Sequence, residues 1–380
     1  MSLFYFIGTA LLTLFEFLNV YFIMPLPGSQ DLDAAVPAYF LYQWRWWIRG
    51  GSLLMIALGA RTAWTGGRRW AVIALTLTAG LSAYIFNFRM NADHMFLQPN
   101  QVRFATREEH TDDSVVVLAA THNGQSKAWP MRYLVYHHQV KDTLGGKPVL
   151  VTYCSVCRTA RIFEPLVNGE AETFRLVGMN RFNAMFEDSR TGSWWRQANG
   201  EAILGPLTGT LLPEVEAMQM TAGKFFSSFP DGLIMLPDEG FMDRYDTLGR
   251  YEKGKSKSSL TRTDSASWQD KSWVVGLIHR GQARAYDWNE LSRKRMLADT
   301  LGGERIALLL TMEGQSFQGL LVPPAVQRMD WRRDTLHLDS MRFDLTGKSL
   351  NRSGKDLKRI PTYQEFWHSW RTFHPETTRY

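Results

Sequence analysis

The stretch Val117-Leu-Ala-Ala-Thr-His-Asn-Gly-Gln-Ser-Lys-Ala-Trp129 decides the fold, because it recurs later in the chain as Val274-Val-Gly-Leu-Ile-His-Arg-Gly-Gln-Ala-Arg-Ala-Tyr286. Asp142-Thr-Leu-Gly-Gly146 likewise returns as Asp299-Thr-Leu-Gly-Gly303, at the same offset of 157 residues (299 − 142 = 157). Two copies at so long a period indicate a duplicated domain rather than a solenoid, whose repeats run about 20–50 residues.

Short strand-like runs and turn signals indicate that each copy is rich in β structure. Val115–Ala120 is dominated by β-branched and small apolar residues and leads to Asn123-Gly124, a hairpin turn signal. The fold class that we predict is α+β and β-rich, with N-terminal transmembrane helices followed by two duplicated β-rich modules. Further local predictions are a helix over Met131–His138, a turn over Asp142–Gly146, a strand over Pro148–Tyr153 and a helix over Tyr363–Thr372.

Two apolar runs near the N-terminus are long enough to cross a membrane. Leu3–Met24 has Glu16 as its only ionisable side chain of note, and Trp70–Phe88 carries no charge. About twenty helical residues cross a hydrocarbon core of roughly 30 Å. No basic residue precedes the first run and no small-residue cleavage site follows it, which favours a retained helix over a signal peptide. Gly50–Ala60 is apolar but short, and we predict a third helix there.

Arginines set the predicted orientation of this anchor. Arg61, Arg68 and Arg69 lie in a loop that the positive-inside rule places in the cytoplasm, whether two or three helices cross the membrane. The chain after Phe88 is then outside. We therefore predict a protein of the cytoplasmic (inner) membrane, with membrane lipid as a partner and its soluble part on the extracytoplasmic side.

The predicted domains follow from the runs, the repeat and one polar stretch. Residues 1–92 form the membrane anchor, residues 93–250 the first module, and residues 271–380 a second, degenerate module. Residues 251–270 form a linker, because Glu252–Ser259 is a polar stretch of low complexity.

Composition excludes several classes of protein. The 380 residues are 45% hydrophobic and 21% charged, which is typical of neither disordered nor fibrous chains. A net charge of +6 without a basic stripe gives no indication of a nucleic-acid partner. Two cysteines exclude a disulfide-rich scaffold. Glycine-rich phosphate-binding and dinucleotide-binding motifs are absent from the sequence, so we predict no nucleotide cofactor.

The candidate chemistry lies in Cys154-Ser-Val-Cys157, directly after a predicted strand. The second copy has Thr311 and Gly314 at these positions, so the fold of the unit does not require the sulfur atoms. Three interpretations compete: a structural disulfide, a thiol-redox pair, and a metal site. A bridge across two residues closes a very small loop and adds little stability, which weakens the first. A thioredoxin would need a helix after the second cysteine, whereas Arg158–Phe163 resembles a strand.

The metal interpretation adds histidines to the two thiolates. His137 and His138 precede the turn that leads into the cysteine strand, and the second copy replaces them with Lys294 and Arg295. We therefore take the ligands to be Cys154, Cys157, His137 and His138. Thiolates and imidazoles suit copper or zinc, and copper is preferred because methionines are abundant and the compartment is external.

A second cluster of candidate residues runs from Glu187 to Gln197. We consider Asp188 as an acid–base group beside the cysteines, although turn formation also explains it. If the stretch is extended, the adjacent Trp194 and Trp195 lie on opposite faces, one in the core and one at a surface or pocket. Trp194 and Arg158 are the candidate cofactor-binding residues, the latter because its charge favours a thiolate.

These residues carry a resemblance to a known family. Val151-Thr-Tyr-Cys-Ser-Val-Cys-Arg-Thr-Ala160, Asp188-Ser-Arg-Thr-Gly-Ser-Trp194 with Gln197, and Gly200-Glu-Ala202 followed by Gly205-Pro-Leu-Thr-Gly209 resemble a prokaryotic family catalogued as domain of unknown function 3179. The resemblance covers roughly Asp113–Met235 and leaves the anchor and the second copy outside. Members typically show Tyr-Cys-Pro-Leu-Cys-Gly-Thr-Ala, so Ser155, Val156 and Arg158 depart from the pattern. The resemblance implies no settled activity.

From these observations we expect a membrane-anchored extracytoplasmic protein with a metal-binding or thiol-redox site at Cys154 and Cys157, acting on an unknown small molecule or envelope protein. Such a protein could be an oxidoreductase or a metal-dependent enzyme. The rival from another class is an envelope interaction module without enzymatic activity, in which the cysteines form a structural disulfide.

Overall fold

The computed structural model describes residues 2–110, 112–352 and 354–380. Its α-helices in chain order are α1 Ser2–Tyr21, α2 Ala35–Thr65, α3 Arg69–Tyr84, α4 Ala92–Met95, α5 Met131–His137, α6 Ala222–Ser228, α7 Met242–Glu252, α8 Trp288–Lys294 and α9 Trp367–Phe373. A π-helix, Ile85–Arg89, continues α3, and a 3-10 helix, Glu239–Phe241, precedes α7.

The strands account for most of the remaining regular structure. Up to residue 215 they are β1 Phe104–Ala105, β2 Val116–His122, β3 Gln125–Pro130, β4 Gln139–Leu144, β5 Lys147–Cys154, β6 Thr159–Phe163, β7 Leu166–Val167, β8 Glu170–Ala171, β9 Phe174–Asn180, β10 Asn183–Asp188, β11 Trp194–Arg196, β12 Ala202–Leu204 and β13 Glu214–Val215. They continue as β14 Met218–Thr221, β15 Leu233–Met235, β16 Trp273–His279, β17 Gln282–Asp287, β18 Met296–Leu301, β19 Glu304–Leu310, β20 Phe317–Leu321, β21 Met329–Arg332, β22 Thr335–Leu338, β23 Met341–Phe343, β24 Arg359–Ile360, β25 Thr362–Phe366 and β26 Thr378–Arg379. The predicted α+β, β-rich class is confirmed.

Residue contacts divide the described chain into two compact units. The first, the helical unit, contains the residues up to Leu97 together with Glu172–Arg196 and Glu201–Thr210. The second, the β unit, contains Gln98–Ala171, Gln197–Gly200 and Leu211–Tyr380. One sheet of the predicted first module, β9 to β12, thus belongs to the unit that holds the N-terminal helices.

Two segments of the helical unit are long and apolar enough to cross a membrane, namely α1 and the segment Arg69–Arg89. Their outward side chains are apolar, since Leu3 of α1 and Leu77 of α3 are both two-thirds exposed. The predicted third helix lies inside α2, which is continuous but does not share this apolar character. Gly8 lets α1 approach α2 closely, because a Cβ there would lie 2.8 Å from the Ser52 carbonyl oxygen.

The sheet of the helical unit is antiparallel, in the order β12-β11-β10-β9. Its apolar face packs on the N-terminal part of α2: Val177, Met185 and Trp194 form a buried cluster with Ala38 of that helix. Tyr39 contributes an edge-to-face contact with the Trp194 ring, at 5.0 Å between centroids. This packing explains why the sheet forms a unit with the helices.

The β unit is built mainly from antiparallel strand pairs, and two of its apolar clusters occupy corresponding places in the two halves. One core contains Trp129, Leu134 and Val151, and the other contains Tyr286, Leu291 and Leu308. The strand orders are β1-β15-β3-β2-β14, β13-β6-β5-β4, β25-β16-β17-β26, β18-β19-β20-β24, β21-β22-β23 and β7-β8.

The order hairpin, helix, hairpin recurs in the β unit. The segment from β2 to β6 with α5 and the segment from β16 to β20 with α8 have the same succession of elements. In both, the first glycine of the Gly-Gly turn has a left-handed φ, +54° at Gly145 and +59° at Gly302. In both, the backbone N–H of that glycine donates to a glutamine side chain, Gln125 or Gln282. Duplication remains our interpretation of this recurrence.

Local predictions differ from the structure at two places. Asp142–Leu144 continues β4, and the turn is confined to Gly145 and Gly146, because only these two glycines adopt the left-handed backbone of a two-residue turn. The stretch predicted as one helix over Tyr363–Thr372 is a strand, β25, followed by α9. Its first residues pair with β16, so tertiary pairing overrides the local pattern.

Candidate functional site

Cys154 and Cys157 flank the turn of a β-hairpin in the β unit. β5 ends at Cys154, which pairs with Thr159 at the start of β6, so residues 155–158 form the connecting turn. Both cysteines are fully buried, and no disulfide joins them. A chain reversal of this length brings residues i and i+3 within about 7 Å, which is compatible with the Cα separation of a disulfide.

Two cationic or potentially cationic side chains from the C-terminal half reach this turn. Lys271 Nζ donates to the Val156 carbonyl oxygen at 2.9 Å, and His368 Nε2 lies 3.1 Å from the same oxygen. Lys271 Nζ and His368 Nε2 are 3.2 Å apart. Lys271 also donates to the Leu260 carbonyl at 2.8 Å, which ties the predicted linker to the turn.

Two opposing effects act on the ammonium group of Lys271 at the turn. Burial lowers the pKa of Lys271, and the negative charges of Cys157 and Cys154 as thiolates oppose this shift. Burial, followed by the charge of Lys271, lowers the pKa of His368 to about 3, so this imidazole is neutral at pH 7. Lys271 is therefore the side chain that can compensate a thiolate here.

Two further carbonyls of the turn are also hydrogen-bonded. The Tyr251 hydroxyl donates to the Ser155 carbonyl oxygen at 2.9 Å, and the Phe366 N–H donates to the Cys157 carbonyl oxygen at 2.9 Å. Tyr251 belongs to α7 and Phe366 to β25. The sequence from α7 onward therefore fixes the cysteine turn, although the turn itself belongs to the first predicted module.

Arg158 has a different role from the one that the sequence suggested. Its φ is +57°, in the left-handed region that favours glycine. The guanidinium donates to the Gln364 side chain at 3.0 Å and to the carbonyls of Tyr251 and Glu252 at 3.2 and 2.9 Å. It also stacks on Trp273, at 3.8 Å from the ring centroid. The side chain thus holds the turn to its surroundings and compensates for a conformation that glycine would adopt more easily.

His137 and His138 are engaged with other groups. His137 Nε2 lies 2.6 Å from the Tyr245 hydroxyl, and His138 Nδ1 lies 3.1 Å from the Tyr136 carbonyl oxygen. His138 caps α5 in a left-handed conformation, and burial lowers its pKa to about 4. Across residues 2–110, 112–352 and 354–380, no three His, Cys, Asp or Glu side chains form a group that could hold a metal ion. The predicted four-ligand set is not assembled in this structure.

Asp188 organises a loop of the helical unit. Its carboxylate accepts hydrogen bonds from the Thr191 N–H at 2.6 Å, the Ser193 N–H at 3.1 Å and Trp195 Nε1 at 2.8 Å. Trp194 Nε1 donates instead to Glu187 at 2.9 Å, so the two indoles do point to opposite faces. Both rings are fully buried, however, and neither lies at a surface. This hydrogen bonding is what a turn-forming aspartate requires.

Comparison with known proteins assigns the family. Residues 97–377 match the model of a family described as protein of unknown function DUF3179. The chain belongs to the DUF3179 family. No curated protein and no solved structure matches it.

The extent of the DUF3179 match corrects the range expected from the motifs alone. The motifs indicate a resemblance over roughly Asp113–Met235, with the second copy outside it. The family match instead continues to residue 377. The physical reason is visible at the turn, where Lys271, Phe366 and His368 hold the carbonyls of the cysteine segment. The C-terminal half therefore belongs to the region that matches the DUF3179 family.

Sequence reasoning missed Lys271, His368 and Tyr251. They lie 114, 211 and 94 residues beyond Cys157, so no local spacing connects them to it. The only signal was indirect: Lys271 follows the predicted linker and precedes the strand that opens the second copy. Contacts of this kind depend on how the hairpins pack, which a motif does not encode.

Proposed function

We propose that this DUF3179 protein is membrane-anchored and that Cys154 and Cys157 form a thiol–disulfide redox pair on the extracytoplasmic side. Two thiols become one disulfide, and two electrons and two protons pass to an acceptor disulfide, which is reduced to two thiols. The positive-inside distribution of arginines supports the placement, and an external compartment favours disulfide chemistry.

The observation that carries this proposal is the half-buried Lys271, whose ammonium donates to the carbonyl of Val156, a residue between the two cysteines. A nearby ammonium stabilises a thiolate, which is the nucleophile in thiol–disulfide exchange. Lys271 is also held in place, since two carbonyl oxygens accept its hydrogen bonds at 2.9 and 2.8 Å. A cysteine pair that served only to pack the core would not need a cation hydrogen-bonded to its turn.

A second observation concerns the matching hairpin of the C-terminal half. β19 and β20 pair at Leu310 and Phe317, and the Thr311 N–H closes the turn by donating to the Ser316 carbonyl at 2.9 Å. This hairpin forms without cysteine. The cysteines are therefore not a requirement of the hairpin, which supports a chemical role for them.

Burial of the pair limits how the chemistry proceeds. Because both cysteines are fully buried, an acceptor reaches the sulfur atoms only after the residues packed around the turn move. We therefore expect small thiol reagents to react faster than protein-sized partners with the resting protein.

Metal binding is the alternative that shares the same two residues. Two thiolates alone suit Cu(I), so a cuprous site is the second candidate at this turn. The two are separated by purifying the full-length protein in detergent, quantifying bound metal, and counting thiols with and without reductant after denaturation. The redox pair predicts no stoichiometric metal and two extra thiols after reduction of an oxidised sample. Stoichiometric copper that is lost in Cys154→Ser would overturn the redox pair in favour of the metal site. A disulfide that persists under reductant would favour the interaction module.

A further inference from the structure

The helical unit contains a buried polar network among its apolar helices. Glu16 of α1 is 1% exposed and accepts two hydrogen bonds from the Arg49 guanidinium, at 2.7 and 2.8 Å. Asn87 joins both, accepting from Arg49 at 2.7 Å and donating to Glu16 at 2.9 Å. Asn87 lies in the π-helix Ile85–Arg89, a local geometry that is frequent at functional sites. The Arg49 guanidinium balances the charge of Glu16, and we call the groups of Glu16, Arg49 and Asn87 the polar floor.

A cavity of about 250 Å³ lies against this network. The lining residues that matter to its chemistry are Tyr42, Arg45, Trp46, Arg49, Asn87 and Arg175. They provide guanidinium, amide and phenol donors beside an indole. Such a lining suits a ligand that has an anionic polar group and an apolar portion.

The three arginines that line the cavity differ in their partners. Arg49 is paired with Glu16, and Arg175 is paired with Asp93 at 2.7 Å and with Glu187 at 2.8 Å. Arg45 instead donates to the Tyr42 carbonyl, and its guanidinium lies over the Tyr42 ring at 3.8 Å. Within the part of the chain that the structure describes, no carboxylate forms an ion pair with Arg45.

The position of the cavity along the helices indicates which anion it meets. Asn19 and Val20, in the last turn of α1, line it, and so do Phe86 and Asn87 at the end of the second apolar segment. Both membrane-length segments therefore end at the level of the cavity, which is the depth of the lipid head groups. Trp46 is 68% exposed beside it, as is typical of tryptophans at the membrane interface.

We propose that this cavity binds the phosphate of an anionic phospholipid, with Arg45 as the principal phosphate ligand and Trp46 against the glycerol and upper acyl chains. Arg49 and Asn87 line the polar floor beneath the phosphate. The lipid would then lie at the end of the helices where Tyr42 and Arg175 connect α2 to β9 and β10. This site rests on the proposed membrane anchor and is independent of the proposed thiol chemistry.

The test uses the full-length protein in a neutral detergent, titrated with phosphatidylglycerol or phosphatidylcholine and measured by native mass spectrometry. Loss of a charge-assisted contact worth about 1.5–3 kcal/mol corresponds to roughly tenfold weaker binding or more. We expect Arg45→Gln to weaken phosphatidylglycerol binding by about tenfold, and Arg45→Lys, which keeps the charge, to weaken it less.

Arg61→Gln is the matched control, because Arg61 is an exposed arginine of the same helix that does not line the cavity. The proposal predicts that this variant binds phosphatidylglycerol like the wild type. It is overturned if both arginine-to-glutamine variants lose the lipid equally, or if phosphatidylcholine binds as tightly as phosphatidylglycerol. Displacement of the lipid by millimolar inorganic phosphate would also overturn it, since the site would then recognise a soluble anion.

Discussion

Replacing Arg158 by glycine, the residue that DUF3179 members typically have at this position, tests the structural role of the side chain. Glycine adopts the φ of +57° without strain, so the backbone gains stability. The substitution also removes the guanidinium that bonds the Tyr251 and Glu252 carbonyls and stacks on Trp273. Because these contacts are buried, their loss outweighs the backbone gain.

The magnitude follows from the separate contributions. Each buried carbonyl left without a donor costs about 1–3 kcal/mol, and a desolvated cation–π contact is worth about 2 kcal/mol. Relief of the left-handed conformation restores about 1–2 kcal/mol of stability. The variant also avoids the cost of removing the guanidinium from water, which offsets a similar amount of the loss. We expect Arg158→Gly to lower the free energy of unfolding by about 3 kcal/mol. Arg158→Ala loses the same contacts and keeps the strain, so it should be about 1 kcal/mol less stable still.

Urea unfolding of the full-length protein in detergent, followed by tryptophan fluorescence, measures both variants. The order wild type, glycine variant, alanine variant is the expected result. A glycine variant within about 0.5 kcal/mol of the wild type would refute the role assigned to Arg158, since surface changes have effects of that size. An alanine variant more stable than the glycine variant would refute the left-handed conformation.

Three further substitutions test the site and its surroundings. Lys271→Met removes the half-buried ammonium at similar volume, and iodoacetamide should then alkylate Cys154 and Cys157 about fivefold more slowly at pH 7, as counted by mass spectrometry; an unchanged or faster rate would contradict the role of Lys271. Burial holds the pKa of His138 at about 4 and that of His368 at about 3, below the usual 6.5, so the unfolded chain binds more protons and stability falls as the pH drops from about 6.5 toward these values. Each histidine contributes up to about 1.4 kcal/mol per pH unit in that window. His138→Asn should therefore reduce the dependence of Tm on pH between pH 6 and pH 4, and the same slope as in the wild type would be inconsistent with a buried neutral His138. Asp188→Asn places an amide among donors that include the Thr191 N–H, the Ser193 N–H and Trp195 Nε1, which should lower stability by about 2 kcal/mol and leave the reactivity of the cysteines unchanged, whereas lost thiol reactivity in a stable variant would restore the acid–base interpretation.

The sequence predicted those parts of the fold that depend on neighbouring residues. The turn at Asn123-Gly124, the strand over Pro148–Tyr153 and the helix after Pro130 are all present, because turn residues, β-branched runs and capping act locally. The strand Thr362–Phe366 was missed because its pairing with β16 joins residues nearly 90 positions apart.

The sequence predicts the two cysteines of the candidate site but not the residues that surround them. The motif located Cys154 and Cys157, but the groups that hold their turn come from Lys271, Phe366 and His368, far along the chain. Arg158 shows the same limit. Its charge suggested a contact with a thiolate, whereas its left-handed backbone and its acceptors on α7 become apparent only when the hairpin is packed.

A redox titration of the cysteine pair tests the central claim most directly. The full-length protein is equilibrated in glutathione buffers from about −150 to −320 mV, quenched in denaturing acid, alkylated and weighed. The account predicts one reversible two-electron transition between dithiol and disulfide, abolished in Cys154→Ser and in Cys157→Ser. Two thiols that remain open to alkylation at every potential would contradict the account. A disulfide that persists at every potential would contradict it equally.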